Sequence, residues 1–352
     1  MKGVLRRKMA SSVMATCFRS SSLYNLLNGF KTSKVPIKSR FCKPFSTNKK
    51  VNAGHASNFE FQEYMAAKIK KVNKALDEAV PLHHPTKLSE AMRYSLLSKG
   101  KRVCPLLCIA SCELVGGKES LAMPVACATE MLVTVSIIQD DLPCMDNDEI
   151  RRGMPTTHKV FGEDTTILCG DSLICLAFQH IADKTDQSVP QKRVLQAISE
   201  LGLAGGSKGL SGGQFLDLNS EGKMVTLSEL EYIHSHKTAR LVEATAVCGA
   251  VIGGGSENEV QRLRNYGRCI GLIHQVVDDI LGVTKSTEEL GKTAGKDLIS
   301  DKATYPKLIG VDGAKKFATE LLDKALAELS YFDAEKAAPL YHFAKYLVNR
   351  QK

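Results

Sequence analysis

The segment SIIQDDLPCMDNDEIRRG places three acidic side chains directly after an apolar run. Asp140, Asp141 and Asp146 crowd together there. Arg151 and Arg152 follow within a dozen residues. Carboxylates this close repel one another unless positive charge lies between them, and carboxylate oxygens are ligands that Mg²⁺ binds in proteins. Taken alone, this cluster fits either a metal site or a solvated helix end.

A second acidic pair strengthens the metal interpretation. Asp278 and Asp279, in HQVVDDILG, lie about 138 residues further along the chain and again follow apolar residues. Two such pairs on helices of one bundle could face each other across its interior, where Mg²⁺ would complete its shell with phosphate oxygens. The basic residues near the two pairs are Arg151, Arg152, Lys237, Lys292 and Lys302. Carboxylates, metal and cations together predict a clamp for a diphosphate group.

The elements that must position these residues are predicted to be helices. Stretches such as FQEYMAAKIKKVNKALDEAV place apolar residues three and four apart, with charged residues between them. Strand-like alternation is scarce, and proline and glycine breaks separate the periodic segments. With 352 residues, 43% of them apolar, the chain can bury a large core. We expect one all-α domain over residues 58–352.

The net charge is distributed unevenly along the chain. Residues 1–50 hold 12 Lys or Arg and no Asp or Glu, which leaves 35 basic and 38 acidic residues elsewhere. This distribution argues against a nucleic-acid binder, because such a protein carries its positive charge on the folded domain. A basic, serine-rich beginning is typical of an organelle transit peptide. We expect residues 1–50 to direct the protein to the plastid, with the mitochondrion or an untargeted basic tail as alternatives.

The cysteines and the apolar segments restrict the class of protein further. Eleven cysteines without paired spacing, in a chain without a secretory signal pattern, predict reduced thiols rather than a disulfide framework. We also expect no segment that is long and apolar enough to span a membrane.

Several long motifs resemble those of the trans-type isoprenyl diphosphate synthases, most closely the plant geranylgeranyl diphosphate synthases. DDLPCMDNDEIRRGMPTTHKVFGED resembles the first aspartate-rich motif, and VVDDILGVTKSTEELGKTAGKD resembles the second. KGKRVCPLLCIASCELVGG, GGQFLD and HKTARLVEA also match in order, so the resemblance covers residues 59–352. It implies an isoprenoid-synthase-type helical bundle around a deep central cavity. It also implies an enzyme, usually homodimeric, that condenses isopentenyl diphosphate with an allylic diphosphate.

The resemblance also implies a role for each candidate residue. The catalytic carboxylates would be Asp140, Asp141, Asp146, Asp278 and Asp279, with Asp140, Asp146 and Asp278 as ligands of Mg²⁺. The allylic diphosphate would bind Arg151, Lys237, Thr238, Gln275, Lys292 and Lys302, and isopentenyl diphosphate would bind Lys101 and Arg152. A metal and a ring of cations would relieve the charge of the leaving diphosphate. Pro143 is expected to end its helix so that Asp146 turns back towards the site.

The product length depends on the wall beneath the first aspartates. Ser136 and Val135 precede Asp140 by about one helical turn and are expected to line the channel for the growing chain. In the family that the chain resembles, bulky side chains at these positions stop elongation, and Val135 is smaller than the methionine that is common there. We expect geranylgeranyl diphosphate, made from dimethylallyl, geranyl or farnesyl diphosphate. A product of twenty-five or more carbons is the alternative.

Three positions depart from the family pattern. Cys104 replaces an arginine three residues after Lys101, and Val133 replaces a histidine of the isopentenyl site. Gly282 replaces the third aspartate of the second motif. Each lost charge-assisted phosphate contact weakens binding by roughly 1.5–3 kcal/mol. We therefore expect weakened capture of isopentenyl diphosphate beside an intact allylic site.

These departures leave a second hypothesis open, a catalytically weak regulatory subunit that pairs with an active synthase. In CPLLCIASC, Cys104, Cys108 and Cys112 share one helix face. Plant members of the family carry a CxxxC here that is associated with partner-subunit contacts, so a heterodimer is possible beside the homodimer. Packing of three buried thiols against a neighbouring helix is the simpler interpretation. A terpene cyclase is disfavoured, because Lys101 and Arg152 suit a transferase with two substrates.

Overall fold

The computed structural model describes residues 59–286, residue 289 and residues 301–350. The predicted transit peptide over 1–50 and the candidate residue Lys292 lie outside these ranges. The predicted domain boundary at residue 58 also lies outside them and stays a prediction.

The described chain is helical almost throughout, which confirms the all-α prediction. Its helices are α1 (Phe61–Ala79), α2 (Thr86–Leu97), α3 (Val103–Leu114), α4 (Glu119–Asp140), α5 (Thr157–Phe161), α6 (Glu163–Lys184), α7 (Gln191–Gly205), α8 (Leu210–Asn219), α9 (Leu227–His234), α10 (Arg240–Gly253), α11 (Glu257–Thr284), α12 (Tyr305–Leu329) and α13 (Ala334–Asn349). A π-helical turn, Ser235–Ala239, joins α9 to α10. A two-residue hairpin pairs β1 (Ile150–Arg151) with β2 (Met154–Pro155) in antiparallel register.

The core lies around α3, α4 and α10, and close backbone approach helps to pack it. Cys104, Cys108 and Cys112 of α3 are all buried. A Cβ atom on Gly249 of α10 would lie only 2.1 Å from the carbonyl oxygen of Cys108, so the two helices can meet this closely only at a glycine. The three thiols therefore lie inside this chain, as the packing interpretation of CPLLCIASC expects.

Two helices are long and apolar enough to cross a membrane by length and composition, so the expectation that no segment meets this test is wrong. In α4, 72% of the apolar stretch is buried inside the fold, against 39% in α6. The physical reason for the apolarity of α4 is that this helix runs through the core, where nearly every side is covered. α6 leaves an apolar strip exposed that includes Ile167 and Leu168.

The two aspartate motifs lie at different positions along their helices. α4 carries Asp140 as its last residue, whereas Asp278 and Asp279 lie well inside α11. α11 begins at a capping box in which Ser256 and Glu259 satisfy each other's backbone N–H groups. The first motif is therefore at a helix terminus followed by a turn, and the second is on a continuous helix.

Candidate active site

The turn after α4 brings Asp146 back beside Asp140. The backbone N–H of Asp146 donates to the carbonyl oxygen of Asp140 at 2.8 Å. Pro143 lies in this turn, outside the helix. Asn147 then takes the left-handed conformation with φ of 51°, which asparagine tolerates better than most residues. The local geometry agrees with the sequence expectation that Asp146 turns back to the site.

Two lysines from distant parts of the chain reach these carboxylates. Lys302 Nζ lies 2.7 Å from Asp146 Oδ1, and Lys237 Nζ lies 3.7 Å from Asp140 Oδ2. Asp217 of α8 binds Lys237 at 2.7 Å and lies 3.7 Å from Lys302. Glu221 also lies 3.5 Å from Lys302, so four carboxylates and two ammonium groups form one ion cluster.

The cluster changes the acidity of its members. Burial raises the pKa of Asp140, and Lys237 only partly opposes that effect. Burial would lower the pKa of Lys237, but Asp140 and Asp217 outweigh it and raise that pKa. Burial would raise the pKa of Asp217, but Lys237 and Lys302 hold it below its ordinary value. The lysines are firmly charged, while Asp140 lies in a setting that favours an additional positive charge.

The π-helical turn explains why Lys237 and the GGQFLD segment meet. A Cβ atom on Gly213 would lie 2.0 Å from the backbone nitrogen of Lys237, so only glycine permits this approach of α8. The next residue along, Gln214, donates its side-chain amide to Asp140. The extra residue of a π turn redirects neighbouring side chains, and here Lys237 faces Asp217 while Thr238 faces α11.

The second motif is held in a different way. Asp279 is 4% exposed and accepts the backbone N–H of Tyr305 at 3.0 Å and the amide of Gln275 at 2.9 Å. Asp278 has a side chain that is 30% exposed and forms an ion pair with Arg350. Arg350 also donates to the carbonyl oxygen of His274 at 2.9 Å.

Two bridges connect the motifs and place them on one side of the bundle. In the first, Lys237 reaches Asp140 while its neighbour Thr238 donates to Gln275 at 2.9 Å. In the second, Lys302 reaches Asp146 while Tyr305, three residues later, donates its N–H to Asp279. The structure therefore brings together the first motif, the second motif, Lys237, Thr238, Gln275 and Lys302.

The two adjacent arginines, Arg151 and Arg152, lie in different environments. Arg151 donates to Asp141 Oδ1 through both Nε, at 2.9 Å, and Nη2, and its Nη2 also donates to Asp148 at 2.8 Å. Burial raises the pKa of Asp141 to about 6, and the contact with Arg151 opposes this shift. Arg152 donates instead to the hydroxyl of Ser98 at 2.9 Å. Among the described residues no carboxylate lies within ion-pair distance of Arg152, and burial lowers its pKa.

The candidate isopentenyl region lies at the start of α3. Lys101 is half-buried in the loop before α3, and the guanidinium of Arg152 lies against the preceding residue, Gly100. Cys104 is 6% exposed, and burial raises the pKa of its thiol to about 12. Val133 is half-buried on α4 and packs with the core. The two positions that have lost a polar group are thus filled by apolar packing.

Several residues of the site escaped sequence reasoning. Gln214 and Asp217 lie in GGQFLD, which matched a motif without suggesting a contact. Asp148 lies inside the quoted first segment, where its spacing from Arg151 could have suggested an ion pair. Arg350 carried no signal, because its partner Asp278 is 72 residues away.

The carboxylates suit Mg²⁺ by their chemistry. Within the described ranges, no three acidic, histidine or cysteine side chains converge on a ready-made metal position. Mg²⁺ is commonly held by one or two carboxylates together with substrate phosphates rather than by an all-protein cage. The partly exposed oxygens of Asp140, Asp146 and Asp278 fit that mode of binding.

A helical bundle that gathers two aspartate motifs and buried lysines on one side is the architecture of the polyprenyl synthetases. The chain belongs to this family, whose model, described as polyprenyl synthetase, matches residues 85–340.

Individual relatives and solved structures agree with this membership. The chain is 58% identical, over 84% of its length and 81% of the relative, to the heterodimeric geranylgeranyl pyrophosphate synthase large subunit 1, chloroplastic, of Arabidopsis thaliana. It is 50% identical to the chloroplastic geranylgeranyl pyrophosphate synthase of Capsicum annuum, over 95% of each chain. The crystal structure of geranylgeranyl pyrophosphate synthetase from Pyrococcus horikoshii superposes with a TM-score of 0.76 at 30% identity, covering 83% of this chain and 98% of that one. A Helicobacter pylori geranyltransferase, complexed with magnesium and isoprenyl diphosphate, superposes with a TM-score of 0.70 at 31% identity, over 84% of this chain and 97% of that one.

Proposed function

We propose that this chain is a geranylgeranyl diphosphate synthase that condenses isopentenyl diphosphate with dimethylallyl, geranyl or farnesyl diphosphate. The observation that carries the proposal is the pair of bridges through Lys237–Thr238 and Lys302–Tyr305, which assemble both aspartate motifs and two charged lysines at one site. The relatives named as geranylgeranyl pyrophosphate synthases support the same activity and the product length.

The allylic diphosphate would bind among the cations of the first motif. Lys237 and Lys302 are charged, and they pair with carboxylates that would otherwise bind the metal. If these carboxylates bound a metal instead, the two ammonium groups would be available to the oxygens of the leaving diphosphate. Fixed cations aimed at developing negative charge lower the barrier to ionisation, because they need no reorganisation during the reaction. Lys292 is assigned to the same group by resemblance alone, because it lies outside the described residues.

Mg²⁺ is the proposed cofactor, with Asp140, Asp146 and Asp278 as its protein ligands. When bound, it would neutralise charge on the diphosphate and favour its departure. The Helicobacter structure that contains magnesium supports this choice, and so does the fit of the partly exposed carboxylates described above.

Isopentenyl diphosphate would bind near Lys101 and Arg152. Arg152 is the stronger candidate on physical grounds, because its guanidinium is partly buried and its described donors reach only Ser98. A cation desolvated without a counter-ion favours an incoming anion. Cys104 and Val133 supply no charge there, so we expect a weaker second-substrate site than in relatives that keep both polar groups.

That weakened site also supports a second candidate function, a regulatory subunit of low activity that pairs with an active synthase. Restoring both polar groups by Cys104→Arg with Val133→His tests whether these two positions weaken the second-substrate site. For an enzyme with a weakened site, the KM for isopentenyl diphosphate should fall about tenfold or more, while the KM for the allylic substrate changes little. Equal changes in both constants, or none, would show that the second site lies elsewhere.

The proposed assembly is a dimer. α6 exposes Ile167 and Leu168, and α7 exposes Leu195 and Leu203. These exposed apolar side chains are the candidates for the subunit interface. The name of the Arabidopsis large subunit, which describes it as heterodimeric, supports pairing with a related subunit as the alternative to a homodimer.

We place the protein in the plastid. The relatives from Arabidopsis and Capsicum are named as chloroplastic, and residues 1–50 have the composition of a transit peptide. Fusion of residues 1–58 to a fluorescent protein should direct it to plastids, and accumulation in mitochondria would overturn this assignment.

The activity test combines the purified protein with Mg²⁺, isopentenyl diphosphate and farnesyl diphosphate, followed by dephosphorylation and chromatography. Geranylgeraniol should be the main product, and it should be absent when Mg²⁺ is chelated. Absence of any prenyl alcohol at millimolar isopentenyl diphosphate, together with stable binding to an active relative, would instead support the regulatory subunit.

A further inference from the structure

Asp148 is a buried carboxylate beside the first motif, and it is not among the residues proposed to bind metal or substrate. Its side chain is 8% exposed, and its Oδ2 lies 2.8 Å from Arg151 Nη2. Arg151 Nε donates at the same time to Asp141 Oδ1 at 2.9 Å. One guanidinium therefore joins two buried carboxylates, of which only Asp141 belongs to the aspartate motif.

The backbone fixes Asp148 more firmly than its partner. Its N–H donates to the carbonyl oxygen of Asp141 at 3.1 Å. Its own carbonyl oxygen accepts the hydroxyl of Thr156, just beyond the hairpin, at 2.8 Å. Asn147, which precedes it, holds the left-handed conformation that turns the chain. The Asp148 carboxylate is therefore attached to a turn in which hydrogen bonds hold both its N–H and its carbonyl group.

Arg151 pairs with two carboxylates at once, Asp141 and Asp148. While Asp141 is paired with Arg151, each neutralises the charge that the other would offer to a ligand. Arginine and a carboxylate form strong bidentate pairs when no second acceptor competes. Here Nε and Nη2 both donate to Asp141 Oδ1, and Nη2 also donates to Asp148 Oδ2, so Asp148 adds a second acceptor that fixes the orientation of the guanidinium.

We propose that Asp148 is a positioning residue for Arg151, which holds this guanidinium in place at the edge of the site beside Asp141. The inference rests on the proposed function. Asp148 itself touches neither substrate nor metal in this role. It acts by keeping Arg151 oriented towards the allylic diphosphate.

The matched control is the adjacent residue. The Glu149 side chain is 73% exposed, and its ion pair is with Lys159 on the surface. Glu149→Gln removes the same charge one residue away without touching Arg151. Any effect of Asp148→Asn that Glu149→Gln shares is therefore long-range electrostatics rather than positioning.

The experiment measures binding of farnesyl diphosphate and of isopentenyl diphosphate to the full chain by calorimetry, each in the presence of Mg²⁺. Asp148→Asn should weaken the binding of farnesyl diphosphate about tenfold and change the affinity for isopentenyl diphosphate by less than about twofold. Glu149→Gln should change neither affinity. Asp148→Glu, which retains the charge, should recover part of the lost affinity. Equal weakening of both ligands, or the same loss in Glu149→Gln, would overturn the proposal.

A milder variant covers the case in which Asp148→Asn does not fold. Thr156→Val removes only the hydroxyl that fixes the Asp148 carbonyl, so it should produce the same selective loss at a smaller size, two- to threefold. Unchanged farnesyl diphosphate affinity in a folded Thr156→Val protein would contradict the positioning role. If the unaltered protein binds isopentenyl diphosphate and farnesyl diphosphate and transfers prenyl groups, the proposed function stands even when Asp148 fails these tests.

Discussion

The two aspartate motifs differ in what neutralises their carboxylates. Asp140 and Asp146 of the first motif face the flexible ammonium groups of Lys237 and Lys302. Asp279 of the second motif instead accepts the backbone N–H of a packed helix and a buried amide. An ammonium group can exchange one anionic partner for another, as Lys237 can between Asp140 and Asp217, whereas a buried N–H left unpaired costs about 1–3 kcal/mol. The first motif is therefore free to exchange partners, and Asp279 is not.

Asp278 lies between these two extremes. Its side chain is 30% exposed, so it can reach a ligand, but the buried guanidinium of Arg350 already neutralises part of its charge. Gly282, one turn further along α11, supplies no additional carboxylate. We infer that the second motif contributes less to metal binding than the first.

The largest expected effect tests this ranking directly. Asp140→Ala should lower the rate of prenyl transfer by about 10²–10³-fold, the usual effect of removing one electrostatic stabiliser of a transition state. Asp278→Ala should cost less, because Arg350 already offsets its charge. Steady-state rates with matched circular dichroism check both variants. A larger loss in Asp278→Ala than in Asp140→Ala would reverse the ranking.

Stability should show the opposite order. Asp279→Ala leaves the N–H of Tyr305 and the amide of Gln275 without their acceptor, so the free energy of unfolding should fall by about 2–4 kcal/mol. Asp140→Ala should change it by less than about 1 kcal/mol, because Lys237 keeps its contact with Asp217. Urea denaturation of the metal-free protein measures both. Equal destabilisation by the two variants would mean that Asp140 and Asp279 contribute equally to the free energy of unfolding.

The junction between the motifs should make stability depend on pH. His234 is 4% exposed and lies near Asp217 and Lys237, and the centroid of its ring is 5.3 Å from that of Tyr305, with the two rings tilted. Burial lowers the pKa of His234 to about 4. The imidazole takes up its proton near pH 6.5 in the unfolded chain but not in the folded one. Its contribution to stability is therefore complete above pH 6.5 and is lost as the pH falls towards 4, up to about 3 kcal/mol in total.

The variant that isolates this contribution is His234→Asn. Its free energy of unfolding should lose less between pH 7 and pH 4.5 than that of the unaltered protein, and urea denaturation at the two pH values measures the difference. Parallel decline in both proteins would assign the acid sensitivity to other groups.

The smallest expected effect concerns the channel beneath the first motif. Ser136 is half-buried and lies one turn from Asp140 on the same face of α4, whereas Val135 is 5% exposed and packs in the core. Ser136→Met should therefore shift the products towards shorter chains. Val135→Met should mainly strain the core, by about 1–3 kcal/mol. Chromatography of the prenyl alcohols measures the product lengths of both variants. A stronger shift with Val135→Met would show that Val135, and not Ser136, limits the length of the product.

The helices and the candidate residues could be predicted because both depend on local patterns. Apolar spacing identified the helices, and Pro143 indicated that Asp146 would leave α4. Which carboxylate meets which cation could not be predicted, since Lys302 and Asp146 are 156 residues apart. The apolarity of α4 could have been read from the sequence, whereas its burial inside the fold could not, because burial depends on neighbours that a local pattern does not reveal.

The sequence by itself determined the family, the all-α class and the types of residue at the site, because composition, periodicity and long motifs are properties of the chain. Only the tertiary structure decided how the charges are shared. It paired Arg151 with both Asp141 and Asp148, left Arg152 beside Ser98, and joined Arg350 to Asp278. The physical reason is that ion pairing depends on distance and burial, and both are set by how helices far apart in the chain pack together.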